Sequence, residues 1–181
     1  LLDAWHTYPC YFTPAELEVS RRTRLAAGLP PRYAGTCRNA APRDTVPVLR
    51  FRVPDREVEF VDRVQGLQVA NVARCVGDFV LRRRDGLFAY QLAVVVDDAE
   101  QGISDIVRGA DLLASTPRQI LLQQPLGLPL LTYMHIPLAV GRDGLKLSKS
   151  EDAPGLTLAA PARVAVAALE FLGQEPPSEL A

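Results

Sequence analysis

Lysine, histidine, cysteine and methionine are all scarce in this sequence of 181 residues. It contains two lysines against 18 arginines, two histidines, three cysteines and one methionine, and 7% of its residues are aromatic. The formal net charge is −1, which removes any whole-molecule electrostatic argument for a nucleic-acid or membrane partner. With 48% hydrophobic and 23% charged residues, the composition is typical of a globular chain and excludes fibrous and disordered classes.

The sequence also lacks a segment with the character of a membrane span or a signal peptide. The longest uncharged stretch, Gln119 to Gly141, is interrupted by Pro125, Pro129 and Pro137, so we expect no membrane partner. An odd number of cysteines without a secretion signal favours reduced thiols, and therefore a cytoplasmic protein. Because the chain begins at Leu1 rather than at a methionine, we interpret it as a fragment of a longer protein.

The first 76 residues combine one helix signal with several short strand signals. Thr13 followed by Pro14 is typical of a helix start, and the pattern predicts a helix over 13–28. Apolar and polar residues partly alternate over 46–72, with turn residues between them. This alternation predicts short antiparallel strands.

Strand and helix signals alternate after residue 76. The predicted segments are a strand over 79–84, a helix over 90–100, a strand over 103–107, a helix over 115–124, a strand over 133–140 and a helix over 162–172. Such alternation favours an α/β layer with parallel strand pairing. We therefore divide the chain into residues 1–76 and 77–181.

Both lysines lie in one five-residue segment, Lys146-Leu147-Ser148-Lys149-Ser150. A chain that uses arginine everywhere else and keeps lysine here points to a place where a compact ammonium group is needed. The segment follows a glycine-bearing turn, so we predict an exposed loop whose lysines can meet phosphate charge as it develops. The alternative is a pair of solvated surface lysines.

This loop segment is one of four segments that carry a family resemblance. It matches the KMSKS-type loop of class I aminoacyl-tRNA synthetases, with leucine in place of methionine. The other three are RRDGLFAYQLAVVVDD (83–98), IVRGADLL (106–113) and TPRQ (116–119). Over about residues 8–173 the chain resembles the glutamyl group of these synthetases and, within that group, the glutamyl-Q tRNA(Asp) synthetases.

The resemblance implies both a fold and a reaction. The implied fold is α/β: residues 77–181 form the carboxy-terminal half of a Rossmann-type catalytic fold, and residues 1–76 form a small α+β insertion. The implied reaction converts glutamate and ATP, with Mg²⁺, to glutamyl-adenylate and pyrophosphate. The glutamyl group then passes to queuosine in the anticodon loop of tRNA(Asp). A monomer is the expected state.

The resemblance also implies roles for particular residues. Tyr90 and Arg108 match the positions that hold the substrate glutamate, and an arginine can grip a carboxylate through two parallel hydrogen bonds. The segment 146–150 matches the ATP-binding loop, with Lys149 as the catalytic lysine at the phosphates. The alternatives are a surface arginine that ends a strand and a tyrosine that fills a groove.

The amino-terminal segment resembles a zinc-bearing insertion of the family, whose pattern is Cys-x-Cys followed by Tyr-x-x-x-Cys. Cys10, Tyr33 and Cys37 stand at three of the four positions, and Phe12 stands at the fourth. Phenylalanine cannot ligate zinc, and structural zinc sites use four protein ligands. The alternatives are zinc on the three remaining positions or ordinary thiols in a small hydrophobic module, and the missing ligand favours the second.

Three further features leave their interpretation open. His135 resembles a segment that lines the nucleotide pocket, or it is a histidine satisfied within the fold. The acidic residues Asp97, Asp98 and Asp111 suit an ammonium group or Mg²⁺, or they are solvated. The stretch between Glu18 and Asp44 contains no acidic residue, which indicates either a basic face for RNA phosphates or solvated arginines.

The HIGH-type motif of class I synthetases is absent, because neither His6 nor His135 stands in such a setting. We therefore expect the first part of the catalytic fold to lie outside these residues, and the isolated chain not to catalyse adenylation. Two alternatives stay open. One is a fragment of a glutamyl-tRNA synthetase, and the other is an RNA-binding paralogue without catalytic activity.

Overall fold

The computed structural model describes residues 6–141, 144, 146–147 and 160–178. The strands in this part of the chain are β1 (Thr7–Cys10), β2 (Val48–Phe51), β3 (Val58–Asp62), β4 (Gly66–Ala70), β5 (Val80–Arg82), β6 (Asp105–Gly109) and β7 (Thr132–Ile136). The helices are α1 (Pro14–Ala26), α2 (Val72–Cys75), α3 (Tyr90–Glu100), α4 (Thr116–Leu126) and α5 (Pro161–Phe171). A 3₁₀ helix over Ala110–Ser115 leads into α4. The α/β fold predicted from the sequence is confirmed.

The helix predicted over 13–28 is confirmed as α1, with a capping box at its start. The Thr13 hydroxyl accepts a hydrogen bond from the Glu16 amide at 3.2 Å, and the Glu16 carboxylate accepts one from the Thr13 amide at 2.7 Å. These two bonds satisfy donors that a helix start otherwise leaves open. Helix α1 follows β1 and precedes β2 in the chain. Strand β2 pairs with β1 on one side and with β5 on the other, which gives an antiparallel sheet of order β1-β2-β5.

The second sheet has the order β4-β3-β7-β6. Strands β3 and β4 form an antiparallel hairpin, whereas β7 pairs in parallel with both β3 and β6. The predicted parallel pairing is therefore confirmed. Helices α3 and α4 pack on each other and connect β5, β6 and β7. The carboxyl ends of β6 and β7 consequently lie side by side, which is where open α/β sheets usually bind ligands.

Each sheet contains strands from both sides of residue 76. Strand β5 follows residue 76 and pairs with β2, while β3 precedes it and pairs with β7. One hydrophobic core also spans the position, since Phe51 and Val58 share it with Leu81 and Leu122. The sheets therefore do not separate at residue 76, and the division into the domains 1–76 and 77–181 stays a prediction.

The outer face of the four-stranded sheet is apolar and exposed. Side chains alternate along a strand, so β3 directs Val58 and Phe60 to the core and Val61 outward. Val61, Leu67 and Val107 are exposed on that face. Among the described residues, no helix combines the length and apolar character that crossing a membrane requires.

Candidate functional site

Arg108 is the centre of a polar network at the carboxyl end of β6. Its Nε donates to His135 Nε2 at 2.9 Å. Its Nη2 donates to Thr116 Oγ1 at 2.8 Å and to Gln119 Oε1 at 2.7 Å. Arg108 and His135 are register partners on the adjacent parallel strands β6 and β7, and Tyr133 lies beneath the guanidinium at 5.7 Å. Three side chains from β7 and α4 therefore hold one edge of a half-buried arginine.

His135 is fully buried and connects Arg108 to Asp62. Its Nδ1 lies 2.6 Å from Asp62 Oδ2, and its backbone amide donates to Asp62 Oδ1 at 3.1 Å. The amides of Val64 and Gln65 donate to the same Oδ1. Burial on its own raises the pKa of Asp62, but the hydrogen bonds from His135 and from these amides outweigh it and hold the pKa at about 2. Asp62 is therefore a carboxylate at neutral pH.

The network extends from Arg108 to the start of α3. Gln119 Nε2 donates to Gln91 Oε1 at 3.0 Å, and Gln91 Nε2 donates to Ser115 Oγ at 3.1 Å. Ser115 precedes α4 but makes no capping hydrogen bond, and its hydroxyl accepts instead from Gln91 and Arg118. Tyr90 immediately precedes Gln91 and is half exposed at the first position of α3. Two hydrogen bonds thus link the helix start that carries Tyr90 to Arg108.

One nitrogen of Arg108 remains for a ligand. Within the described ranges, Nε and Nη2 have partners and Nη1 makes no hydrogen bond. A carboxylate approaching this arginine therefore meets Nη1, and a grip through two parallel bonds requires Thr116 or Gln119 to release Nη2. Burial raises the pKa of Asp98, and the charge of Arg108 acts in the opposite direction.

The predicted ATP loop is described only at its first two residues. Lys146 Nζ donates to Asp111 Oδ2 at 2.5 Å, and the Leu147 amide donates to the Ala139 carbonyl at 2.9 Å. The hydrogen bond from Lys146 lowers the pKa of Asp111. Ser148, Lys149 and Ser150 lie outside the described residues. Asp111, one of the three acidic residues proposed for an ammonium group or Mg²⁺, is thus paired with a lysine of the loop segment.

The three residues of the zinc pattern converge in a small cluster. Cys10 and Cys37 are buried, the Cys10 thiol donates to Tyr33 Oη at 3.5 Å, and the Cys37 amide donates to the same oxygen at 2.8 Å. The Phe12 ring packs edge-on against Tyr33, with 6.4 Å between centroids. The Arg50 guanidinium lies 4.0 Å from the centre of the Tyr33 ring. Phe12 therefore adds an aromatic contact at the position of the fourth ligand.

The donor set of this cluster does not fit a closed zinc site. Burial, followed by the hydrogen bond with Cys10, raises the pKa of Tyr33 far above the ordinary value of a phenol, so a phenolate ligand is disfavoured. Burial also opposes ionisation of Cys10, but hydrogen bonds with Tyr33 and Arg50 outweigh it and lower the pKa of that thiol. In the described part of the chain, no group of three His, Cys, Asp or Glu side chains could hold a metal ion. Two thiols and a neutral phenol are the available donors.

Most arginines of the predicted basic stretch have acidic or carbonyl partners. Glu18 pairs with Arg21 at 3.6 Å and with Arg22 at 3.0 Å, and Arg38 pairs with Asp78 at 2.6 Å. These contacts reduce the local positive charge. Contact of this stretch with RNA stays a prediction.

Several residues of the network could not be recognised in the sequence. Asp62 ends an ordinary strand, and Gln91 and Gln119 are uncharged amides of helices. Two interpretations of His135 are a residue that lines the nucleotide pocket and a histidine whose hydrogen bonds are satisfied within the fold. Its full burial, with Arg108 and Asp62 as partners of its ring nitrogens, agrees with the satisfied histidine. A buried histidine or carboxylate requires partners, but Asp62 and His135 lie on different strands, so neither strand sequence on its own identifies the partner.

Comparison with known proteins gives this network a family context. Residues 1–155 match the family model described as tRNA synthetases class I (E and Q), catalytic domain. The chain is 55% identical over 148 residues to the glutamyl-Q tRNA(Asp) synthetase of Ectopseudomonas mendocina, covering 82% of this chain and 50% of that protein. It is 52% identical over 175 residues to that of Thiobacillus denitrificans, covering 96% and 57%. The chain spans about half the length of the curated relatives it matches.

Solved structures agree with the family match. The crystal structure of glutamate-tRNA synthetase from Elizabethkingia anophelis superposes with a TM-score of 0.68 at 29% identity, covering 83% of this chain and 34% of that one. A glutamate tRNA ligase from Elizabethkingia meningosepticum in complex with its amino acid gives 0.66 at 28% identity, with the same coverage. The resemblance drawn from the loop segment and its companions is confirmed. The chain belongs to the family of class I tRNA synthetases for E and Q, within their catalytic domain.

Proposed function

We propose that the whole protein activates glutamate with ATP to form glutamyl-adenylate and pyrophosphate, and then transfers the glutamyl group to a tRNA. The observation that carries this proposal is Arg108, a half-buried guanidinium at the carboxyl end of the parallel strands with Nη1 left for a carboxylate. An anchored guanidinium in a partly dry site binds a carboxylate more strongly than a surface arginine does.

The proposed roles of the other residues follow the family resemblance. Tyr90, at the start of α3, orients the amino acid beside Arg108, and residues 146–150 bind ATP, with Lys149 at the phosphates. Magnesium accompanies ATP as a substrate ion. The substrate carboxylate is itself the nucleophile, so positioning and charge stabilisation suffice for the first step without a general base. A cytoplasmic monomer is part of the same proposal.

Queuosine of tRNA(Asp) is the acceptor that the curated relatives favour. The relatives called glutamyl-Q tRNA(Asp) synthetase are 48–56% identical to the chain, whereas the superposed glutamate-tRNA synthetases are 28–29% identical. The second candidate acceptor is the terminal adenosine of a glutamate tRNA. The third possibility is an RNA-binding protein without catalytic activity, which an assay of glutamate-dependent exchange distinguishes from the two synthetases.

Glutamate-dependent exchange of pyrophosphate into ATP tests the first step. We expect the complete protein to catalyse this exchange without tRNA, and then to label tRNA(Asp) that contains queuosine but not the same tRNA without it. Exchange that requires tRNA contradicts the queuosine acceptor and supports the second candidate. A folded protein that binds tRNA and shows no exchange under either condition contradicts the synthetase proposal.

Lys149→Ala tests the proposed loop lysine. A lysine that stabilises phosphate charge mainly in the transition state lowers the adenylation rate when it is removed, with little change in glutamate binding. We expect a rate loss of roughly a hundredfold or more. Lys149→Arg is the matched variant: it keeps the positive charge but not the compact ammonium group, so it should recover only part of the rate that Lys149→Ala loses. A rate for Lys149→Ala within about threefold of the parent contradicts the assignment.

A further inference from the structure

The hydrogen bonds around His135 define which of its nitrogens carries a proton. Arg108 Nε has one hydrogen and can only donate, so His135 Nε2 at 2.9 Å must accept. The Thr116 hydroxyl, 3.3 Å from the same nitrogen, already accepts from Arg108 Nη2 and has its own proton to donate. Two donors therefore face Nε2, and that nitrogen holds a lone pair.

The other ring nitrogen faces an acceptor. Asp62 Oδ2 lies 2.6 Å from Nδ1, and Asp62 Oδ1 is occupied by three backbone amides. Because Asp62 has a pKa of about 2, it is ionised at neutral pH and has no proton to donate. Nδ1 therefore carries the imidazole proton. The ring is neutral and in the Nδ1–H form, and it bridges Asp62 and Arg108 through one hydrogen bond to each.

We propose that Asp62 and His135 are positioning residues for glutamate recognition: Asp62 selects the Nδ1–H tautomer of His135, whose Nε2 then anchors Arg108 and leaves Nη1 for a substrate carboxylate. This inference rests on the proposed function, in which Arg108 binds glutamate. A neutral imidazole orients the guanidinium without adding charge beside it. A carboxylate in direct contact with Arg108 would instead compete with the substrate for the same donors.

Asp62→Asn in the complete protein tests the tautomer directly. The asparagine oxygen keeps the backbone bonds, while its NH₂ group faces Nδ1 and selects the Nε2–H tautomer, which opposes the Nε–H of Arg108. We expect KM for glutamate in pyrophosphate exchange to rise about tenfold or more, with KM for ATP within about twofold. Glu59→Gln is the matched control. It changes an exposed carboxylate of the same strand to an amide and should leave both values unchanged.

A glutamine at position 135 separates the positioning role from a structural one. The carbonyl oxygen of His135→Gln can accept from Arg108 without depending on Asp62. In that background we expect Asp62→Asn to change KM for glutamate by less than about threefold, so that the two substitutions are strongly coupled. If Asp62→Asn has equal effects with and without His135→Gln, Asp62 acts through the backbone alone, and the proposal is overturned.

The tautomer can also be measured without substituting Asp62. In the unsubstituted protein labelled with ¹⁵N-histidine, with His135→Gln used for assignment, we expect the His135 proton on Nδ1. A proton on Nε2 overturns the positioning role even if every Asp62 variant fails to fold. Absence of glutamate-dependent exchange in the unsubstituted protein would instead overturn the proposed function. Normal exchange with a protonated Nε2 overturns the positioning role alone.

Discussion

Asp78 and Asp62 are both buried carboxylates, and the charge of each is stabilised by a different kind of hydrogen-bond partner. Asp78 is 3% exposed and accepts two hydrogen bonds from Arg38, at 2.6 and 2.7 Å, and one from the Tyr8 hydroxyl at 2.6 Å. Asp62 is 1% exposed and reaches its arginine, Arg108, only through the neutral ring of His135. The first carboxylate binds Nε and Nη2 of its arginine directly, whereas the second binds no nitrogen of its arginine, so that among the described residues no carboxylate forms an ion pair with Arg108.

This difference indicates which buried charge holds the fold and which one prepares a site. A direct carboxylate–guanidinium pair satisfies both charges within the protein, and removing one partner leaves the other charge buried without compensation. A carboxylate that acts through a histidine fixes the geometry of an arginine while the charge of that arginine stays available. Substitutions at the two aspartates and at their arginines test this difference.

Asp78→Ala should cause the largest loss of stability. It leaves the Tyr8 hydroxyl and the Val53 amide without an acceptor, and Arg38 without its partner. Because the Arg38 side chain is 41% exposed and can be rehydrated, we expect a loss of about 3 kcal/mol rather than the upper end for a buried pair. Urea denaturation measures it. KM for glutamate of the remaining folded protein should not change, and a specific rise in KM would contradict the contrast.

Arg108→Lys should raise KM for glutamate by about 30-fold or more, because lysine keeps the charge but cannot reproduce the guanidinium fork. Arg38→Lys is the matched substitution beside the other aspartate. It should lower stability by about 1–2 kcal/mol and leave KM for glutamate unchanged. Pyrophosphate exchange and urea denaturation of both variants measure the two effects. Similar changes in KM for the two variants would remove the distinction between the arginines.

The pH dependence of stability should identify the contribution of Asp62. Its pKa is about 2 in the folded protein and near 3.8 ordinarily, so its contribution is present above pH 4 and is lost as pH falls towards 2. The shift corresponds to about 2 kcal/mol. Between pH 5 and pH 2 the unsubstituted protein should therefore lose about 2 kcal/mol more than Asp62→Asn. A carboxyl ¹³C titration of Asp62 with a midpoint near 4 would contradict this prediction.

Chelation should have the smallest effect, because we expect the thiol cluster to be held by packing rather than by zinc. After dialysis against a weak chelator, the unsubstituted chain should contain well under one zinc and keep its Tm within about 1 °C. Phe12→Cys supplies the fourth ligand beside Cys10, Tyr33 and Cys37, and should gain zinc and a chelator-sensitive Tm. Zinc near one per chain in the unsubstituted protein, by elemental analysis, would contradict this prediction.

The elements with local signals could be predicted from the sequence, and those without could not. Helix α3 has the predicted bounds, Tyr90–Glu100, because its largely apolar run is contained in consecutive residues, although its N-cap residue Ala89 makes no side-chain capping hydrogen bond. The 3₁₀ helix over Ala110–Ser115 was missed, and the Ser115 hydroxyl serves Gln91 rather than a helix cap. The partner of Ser115 in that hydrogen bond, Gln91, is 24 positions away in the sequence, so local sequence propensity cannot predict the bond.

The candidate site shows the same limit. Arg108 and Tyr90 were selected by resemblance, because they stand within motifs of consecutive residues. Asp62 was not selected, since its partner His135 is 73 positions away and nothing in a strand of five residues predicts that contact. Likewise, the sequence showed a run of arginines before Asp44, but only the fold showed that Glu18 and Asp78 neutralise several of them.

Neighbouring residues were enough to predict the family of this chain, the alternation of its strands and helices, and the absence of the fourth residue of the zinc pattern. These features reside in the type and order of neighbouring residues. Only the folded chain shows that Arg108, one of 18 chemically equal arginines, is held at the carboxyl end of β6 by His135, Thr116 and Gln119 and not by a carboxylate. That arrangement depends on burial and on the polarity of hydrogen bonds among β3, β7 and α4, which meet only when the sheet has formed.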